Sequence, residues 1–163
     1  MVILELLEQI PFFWDMTEEE KKLILKDDSF FSVYQPGDYI IKEGPEETYP
    51  LYVMVTGDVK VTKNCAEGEK ELIQLTAGAV IGEMSFLVSR PRATNVIAIN
   101  QVTVFRIDDK TLVKMPCDTQ IKIKDKLIEI LIKRLDDMNT NQARADMANQ
   151  VLTKALREAQ SGP

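Results

Sequence analysis

The chain has 163 residues, of which 45% are hydrophobic and 28% charged, and a formal net charge of −6. Those totals suit one globular domain with its own core, and the acidity argues against DNA, RNA or anionic lipid as partners, since each rewards a basic face. With no histidine, the usual neutral-pH general base, imidazole metal ligand and haem ligand are missing; Cys65 and Cys117 are too few for a four-cysteine metal centre and read as two reduced thiols, so no metal is expected.

In chain order, Ile3 to Ile10 forms a short amphipathic helix that stops at Pro11. Glu5 and Glu8 interrupt its apolar pattern, and no run reaches the ~18 apolar residues of a membrane span, so a soluble, cytoplasmic chain is expected. Phe12, Phe13 and Trp14 make an apolar plug. Thr17 followed by Glu20 is a capping-box signature, which starts a second helix through Lys21, Leu23, Ile24 and Leu25 that is expected to lie against the following domain.

From Phe30 to Asp108 the pattern becomes short β-rich runs: Phe30 to Tyr34, Tyr39 to Ile41, Leu51 to Thr56, Val59 to Lys63, Glu71 to Leu75, Thr94 to Ala98 and Val102 to Ile107. Turn residues around Gly37, Gly57, Gly68 and Gly78 separate several of them, and evenly spaced short strands point to a sandwich or a barrel. A helix capped by Asp109 then runs to Met115 and is broken by Pro116.

A longer helix follows from Asp118. Read as heptads, Ile121, Ile128, Leu135, Gln142, Asn149 and Leu156 share one seam, with Lys124, Leu131, Met138, Ala145, Leu152 and Ala159 beside it. A dimeric coiled coil tolerates an occasional buried asparagine as a register device. The alternative is that the first half packs on its own domain and the rest is a solvated tail; Asn139 to Asn141 mark a point where the helix could be cut in two.

The run from Val80 to Thr94 carries the chemistry. A Gly82-Glu83 pair followed by small Ser85 can open a helical turn whose free N–H groups point at an anion. Arg92, from the next strand, offers a fixed set of donors to phosphate oxygens. Glu83 is acceptor-only when ionised and needs a donor such as a sugar hydroxyl, so the loop is shaped for a nucleotide. The plainer readings are a surface ion pair for Arg92, a charge at the helix start for Glu83 and a merely small residue at Ser85; Arg90 is expected to be solvated.

This run resembles the cassette of the cyclic-nucleotide-binding domain family: Gly82, Glu83, Met84, Ser85 and Phe86, a spacer, then Pro91, Arg92, Ala93 and Thr94, at the spacing of kinase regulatory subunits. The segments Tyr34 to Gly44 and Leu51 to Val61 are also similar to family motifs, so the resemblance spans roughly residues 5 to 138. It implies a mainly β fold with flanking helices: a double-stranded β-helix, or jelly-roll, barrel at about 29 to 108, N-terminal helices and a long C-terminal helix. The domain is expected over 1 to 140, with 141 to 163 a helical extension or tail. Cupins share this architecture, but their metal sites rest on histidines that are missing here.

The resemblance further implies a non-enzymatic sensor of a cyclic purine mononucleotide that needs no cofactor. Ile81, Gly82, Glu83, Met84, Ser85, Arg92, Ala93 and Thr94 would bind the ligand, Arg92 through the cyclic phosphate and Glu83 through the ribose 2′-hydroxyl. Val61, Met138 and Asn139 are candidates for the base, although Val61, like Met54, Leu72 and Leu75, reads first as core. Members preferring cGMP often carry threonine directly after the arginine; here Ala93 follows it and the threonine comes one place later, facing the other way, so cAMP is expected over cGMP. Dimeric bacterial members support a homodimer through the long helix. Transcriptional members continue into a helix-turn-helix domain; ending at Ser161-Gly162-Pro163 without a basic recognition helix, this acidic chain is expected to lack one and to bind no nucleic acid. The rival readings are a detached regulatory portion of a channel, kinase or multidomain enzyme, and a degenerate dimerising scaffold, against which Glu83 and Arg92 count. No paired catalytic carboxylates or activated nucleophile stand at motif spacing for an enzyme.

Overall fold

A computed structural model describes the backbone of residues 2–160 and the side chains of residues 4–154. The expected contributions of the Ile3, Leu156 and Ala159 side chains and of the terminal Ser161 to Pro163 lie outside those described residues. Two compact units are present, Met1–Ile123 and Lys124–Pro163.

The first unit opens with α1 (Val2–Gln9) and a 3-10 turn over Pro11–Phe13. Next comes α2 (Glu18–Leu25), started by the anticipated capping box: the Thr17 hydroxyl accepts from the Glu20 amide at 3.2 Å, and the Glu20 carboxylate accepts from the Thr17 amide at 2.7 Å. Eight strands follow: β1 (Phe31–Tyr34), β2 (Tyr39–Ile41), β3 (Leu51–Thr56), β4 (Val59–Cys65), β5 (Gly68–Leu75), β6 (Val80–Ile81), β7 (Asn95–Ala98) and β8 (Val102–Ile107). They form two four-stranded antiparallel sheets in the orders β1-β8-β3-β6 and β2-β7-β4-β5, the jelly-roll arrangement. The two-residue β6 and the first part of β5 escape the sequence reading, since β6 is too short to show a period and Gly68 to Gln74 are exposed throughout.

Alternation along β8 shows how the layers are built. Val102 and Val104 enter the core between the sheets with Tyr52, Met54, Ile81, Val96 and Ala98. Phe105 points the other way and meets Phe13 edge-on at 5.2 Å, with Phe30 and Phe31 both at 5.6 Å. Phe12 and Phe13 therefore sheathe the outer face of the first sheet, while Trp14, expected in the same plug, is 62% exposed; this cover is why Leu51 to Val55 of β3 form an apolar run buried on both faces. Phe13 and Phe105 are both fully buried, and each such ring contributes roughly 2–3 kcal/mol of hydrophobic stabilisation.

After β8, α4 (Asp109–Leu112) is capped by Asp108 and not by the expected Asp109: the Asp108 carboxylate accepts from the Thr111 amide at 2.8 Å, and the Thr111 hydroxyl accepts from the Asp108 amide at 2.7 Å. Burial works to raise the Asp108 carboxyl, but the Thr111 amide and hydroxyl and the nearby Arg106 outweigh it and hold it below the usual carboxylate range. The long helix α5 (Cys117–Gln160) runs 44 residues without the interruption considered at Asn139 to Asn141. Asparagine lowers helix propensity by only about 0.7 kcal/mol relative to alanine, too little to break a helix of this length. Over its first two turns, α5 is tied to α2, because Thr119 Oγ1 and Lys122 Nζ donate to the Glu20 carboxylate at 2.9 and 2.7 Å.

Candidate functional site

The core strand β6 delivers the chain to Gly82, whose φ of 77° is left-handed. A side chain here would be strained and would also collide, as a Cβ would lie 2.5 Å from Nη1 of Arg92 and 3.1 Å from the Pro50 carbonyl oxygen. Only glycine lets the backbone turn while the guanidinium comes this close. Beyond it, α3 (Glu83–Val88) begins without a side-chain cap. Helix geometry leaves the first-turn amides of Met84 and Ser85 without intrahelical acceptors.

Arg92 is 4% exposed, which excludes the plain surface ion pair. Its Nη1 donates to the Gly82 carbonyl at 3.1 Å, Nη2 to the Pro50 carbonyl at 2.8 Å, and Nε to the Glu46 carboxylate at 3.0 Å. The Tyr49 ring lies 5.4 Å from the guanidinium carbon. Each terminal nitrogen carries two hydrogens, so these bonds hold the fork in plane without using its full donor capacity. The arginine backbone is clamped as well, with Arg92 N donating to Gly44 O at 2.8 Å and Gly44 N to Arg92 O at 3.0 Å.

Glu83 and Ser85 are buried, at 3% and 5% exposure, whereas Met84 between them is exposed. Ile81 belongs to the barrel core, Ala93 is exposed and Thr94 is half-buried. The structure thus brings Gly82 and Arg92 into direct contact, with two buried polar side chains on the adjoining helical turn. Val61 is half-buried at the edge of the core, and its register partner Ile73 shares its face and is exposed. Leu72, read as core from the sequence, is 52% exposed beside a register shift in the β4–β5 pairing, where it leaves the buried pattern. Met54 is core, Leu75 half-buried and Arg90 solvated, in line with the sequence. Met138 and Asn139 lie on α5 in the second unit, both exposed.

Two groups of residues were not legible beforehand. One is the β2–β3 loop, whose Glu46, Tyr49 and Pro50 grip Arg92; loop residues have no period, and only the acidic Glu46-Glu47 pair hinted at a cationic partner. The other surrounds Asn95, which is 4% exposed. Its Oδ1 accepts from the Glu43 amide at 2.8 Å, and its Nδ2 donates to Glu69 Oε1 at 3.0 Å and Asn64 Oδ1 at 3.4 Å. Thr62 donates to the same Glu69 oxygen, and the Glu43 carboxylate accepts from the Asn64 amide at 2.8 Å. An asparagine opening a buried strand is the one available signal, since the type is depleted in strands.

Chemically, a left-handed glycine, uncapped helical amides and a restrained guanidinium form a cradle for a singly charged phosphate, while a buried carboxylate on the same turn suits a hydroxyl donor. Comparison with known proteins points the same way. A sequence model described as "Cyclic nucleotide-binding domain" matches residues 31–115. The chain is 34% identical over 124 residues to cyclic nucleotide-gated channel beta-3 of Canis lupus familiaris, covering 72% of this chain and 16% of the channel. It is 32% identical over 98 residues to the cAMP-dependent protein kinase regulatory subunit of Hypocrea atroviridis, covering 60% of this chain and 20% of that subunit. It thus spans a fifth or less of each of these two relatives. Among solved structures, the catabolite activator protein of Thermus thermophilus shares the fold with a TM-score of 0.68 at 23% identity, covering 83% of this chain and 63% of that one.

Proposed function

The chain belongs to the cyclic nucleotide-binding domain family, and from that premise we propose that it binds a cyclic purine mononucleotide, cAMP in preference to cGMP, as a non-enzymatic cytoplasmic sensor. The observation that carries the reading is the buried Arg92 fork held against the Gly82 carbonyl at the start of α3. It sets a fixed cation beside uncapped amides, where a phosphodiester gains charge-assisted bonds in a site already organised for it. Glu83 takes the ribose 2′-hydroxyl, and Val61 with Ile73 offers an apolar face to the base. Ala93 has no hydroxyl for a guanine amino group, which supports cAMP.

Binding becomes a signal only if the ligand distinguishes two states of the protein. The Asp109 to Pro116 segment between β8 and α5 is the candidate for that change. Self-association through α5 forms part of this reading, supported by Ile128, Leu135 and Met138, which stand 53%, 57% and 68% exposed. A second reading, a regulatory portion of a larger channel or kinase, is favoured by the matched relatives and would be decided by the full-length transcript. Calorimetry with cAMP and cGMP, after testing for copurified nucleotide, checks the sensor reading. Micromolar or tighter binding of cAMP is the expected result, and no heat with either nucleotide would end it.

A further inference from the structure

Asn95 opens β7 three residues after Arg92, but its side chain is committed elsewhere. It joins three segments: β7 itself, the β2–β3 loop through the Glu43 amide, and the β4–β5 hairpin through Glu69 and Asn64. The loop residue next to Glu43 is Gly44, which exchanges two backbone bonds with Arg92, and two residues further Glu46 holds Nε at 3.0 Å. The Asn95 amide is therefore the buried pin that sets where the loop presents Glu46 and Pro50 to the guanidinium.

We propose that Asn95 is a positioning residue for anion capture, acting through the Glu43 to Glu46 loop to hold the Arg92 fork in its binding plane. The proposal rests on the cyclic-nucleotide reading of the site. The chemistry is specific to an amide, as only a side chain with one acceptor and a two-hydrogen donor can take the Glu43 N–H while donating to a carboxylate and a carbonyl. Apolar replacement leaves the Glu43 N–H and the Glu69 carboxylate without that partner and releases the loop.

The test pairs cAMP calorimetry with the Arg92 Nε–H resonance in the nitrogen–proton NMR spectrum of the ligand-free protein. Asn95→Ala is expected to weaken cAMP binding about tenfold, the equivalent of one lost hydrogen bond of this kind, and to shift and broaden the Arg92 Nε–H signal. Thr62→Val, which loosens the same hairpin without touching Glu43, should leave both readouts close to the parent. Asn95→Asp should also weaken binding by setting a carboxylate against Glu69. Adding Glu69→Gln reverses donor and acceptor across that contact, so the double variant should bind within about threefold of the parent; this pair carries the test if Asn95→Ala does not fold. Equal affinity in Asn95→Ala and parent, an equal loss in Thr62→Val, or an unmoved Arg92 signal would overturn the proposal. If the parent binds neither nucleotide, the ligand reading fails by itself, and the Arg92 signal still decides whether Asn95 positions the guanidinium.

Discussion

Replacing Arg92 by alanine should damage the protein in two separable ways. Folding loses the donors to the Pro50 and Gly82 carbonyls at 2.8 and 3.1 Å, the pairing with Glu46 at 3.0 Å and the face of Tyr49. Two under-satisfied carbonyls at roughly 1 kcal/mol each and one partly screened ion pair at about 0.5 kcal/mol sum to roughly 2.5 kcal/mol, a midpoint fall of about 5–10 °C for a domain of this size. Binding loses the principal countercharge of the phosphate, worth about 2–5 kcal/mol, or roughly thirtyfold to several thousandfold in affinity. Thermal unfolding by circular dichroism and calorimetry with cAMP, in one buffer, measure the two separately. Arg92→Lys should fall between alanine and the parent in affinity, because a compact ammonium cannot match the bidentate guanidinium fork. A midpoint that falls while affinity for cAMP stays intact would reduce Arg92 to a structural staple and refute the anion-capture reasoning. An unchanged midpoint would refute the stability argument.

Other perturbations address the remaining links. Burial works to raise the Glu20 carboxyl, but hydrogen bonds from Lys122, the Thr17 amide and Thr119 outweigh it and lower its pKa from 4.5 to about 2. Its stabilising contribution is thus complete above pH 4.5 and lost as the pH falls toward 2; Glu20→Gln should be less stable than the parent at pH 7, with the gap closing over that acid range in denaturant melts, and a gap independent of pH would contradict the assignment. Ala93→Thr should raise affinity for cGMP relative to cAMP by about tenfold if its hydroxyl gains one hydrogen bond to the guanine amino group, and a competition assay showing no change would remove the basis for the cAMP preference. Leu135→Lys, at a position 57% exposed, should convert a helix-mediated dimer to monomer in sedimentation equilibrium without lowering cAMP affinity more than a few-fold; a parent that sediments as a monomer at high micromolar concentration would exclude the dimer.

Much of this molecule can be read from local residue patterns, because they act over short spans of chain. The Thr17/Glu20 capping box, the alternation of β8, the glycine turns and the Gly82 to Thr94 cassette each express a backbone or side-chain preference within a few residues. What the sequence could not place were the partners those residues find from far along the chain. The motif around Arg92 marks it as a candidate anion ligand, but its grip by Glu46, Tyr49 and Pro50 depends on a loop more than forty residues away, brought in by the Gly44 bridge. Asn95 shows nothing in its neighbours that foretells Glu43, Asn64 and Glu69 around it. Asp109 and Asp108 are equally plausible caps as letters, and only the Thr111 geometry separates them. Likewise, Leu72 follows an apolar pattern yet is solvent-exposed beside a bulge. Short-range preference is written along the chain, whereas the jelly-roll brings distant strands and loops side by side, and the electrostatic setting of the cassette comes from that closure.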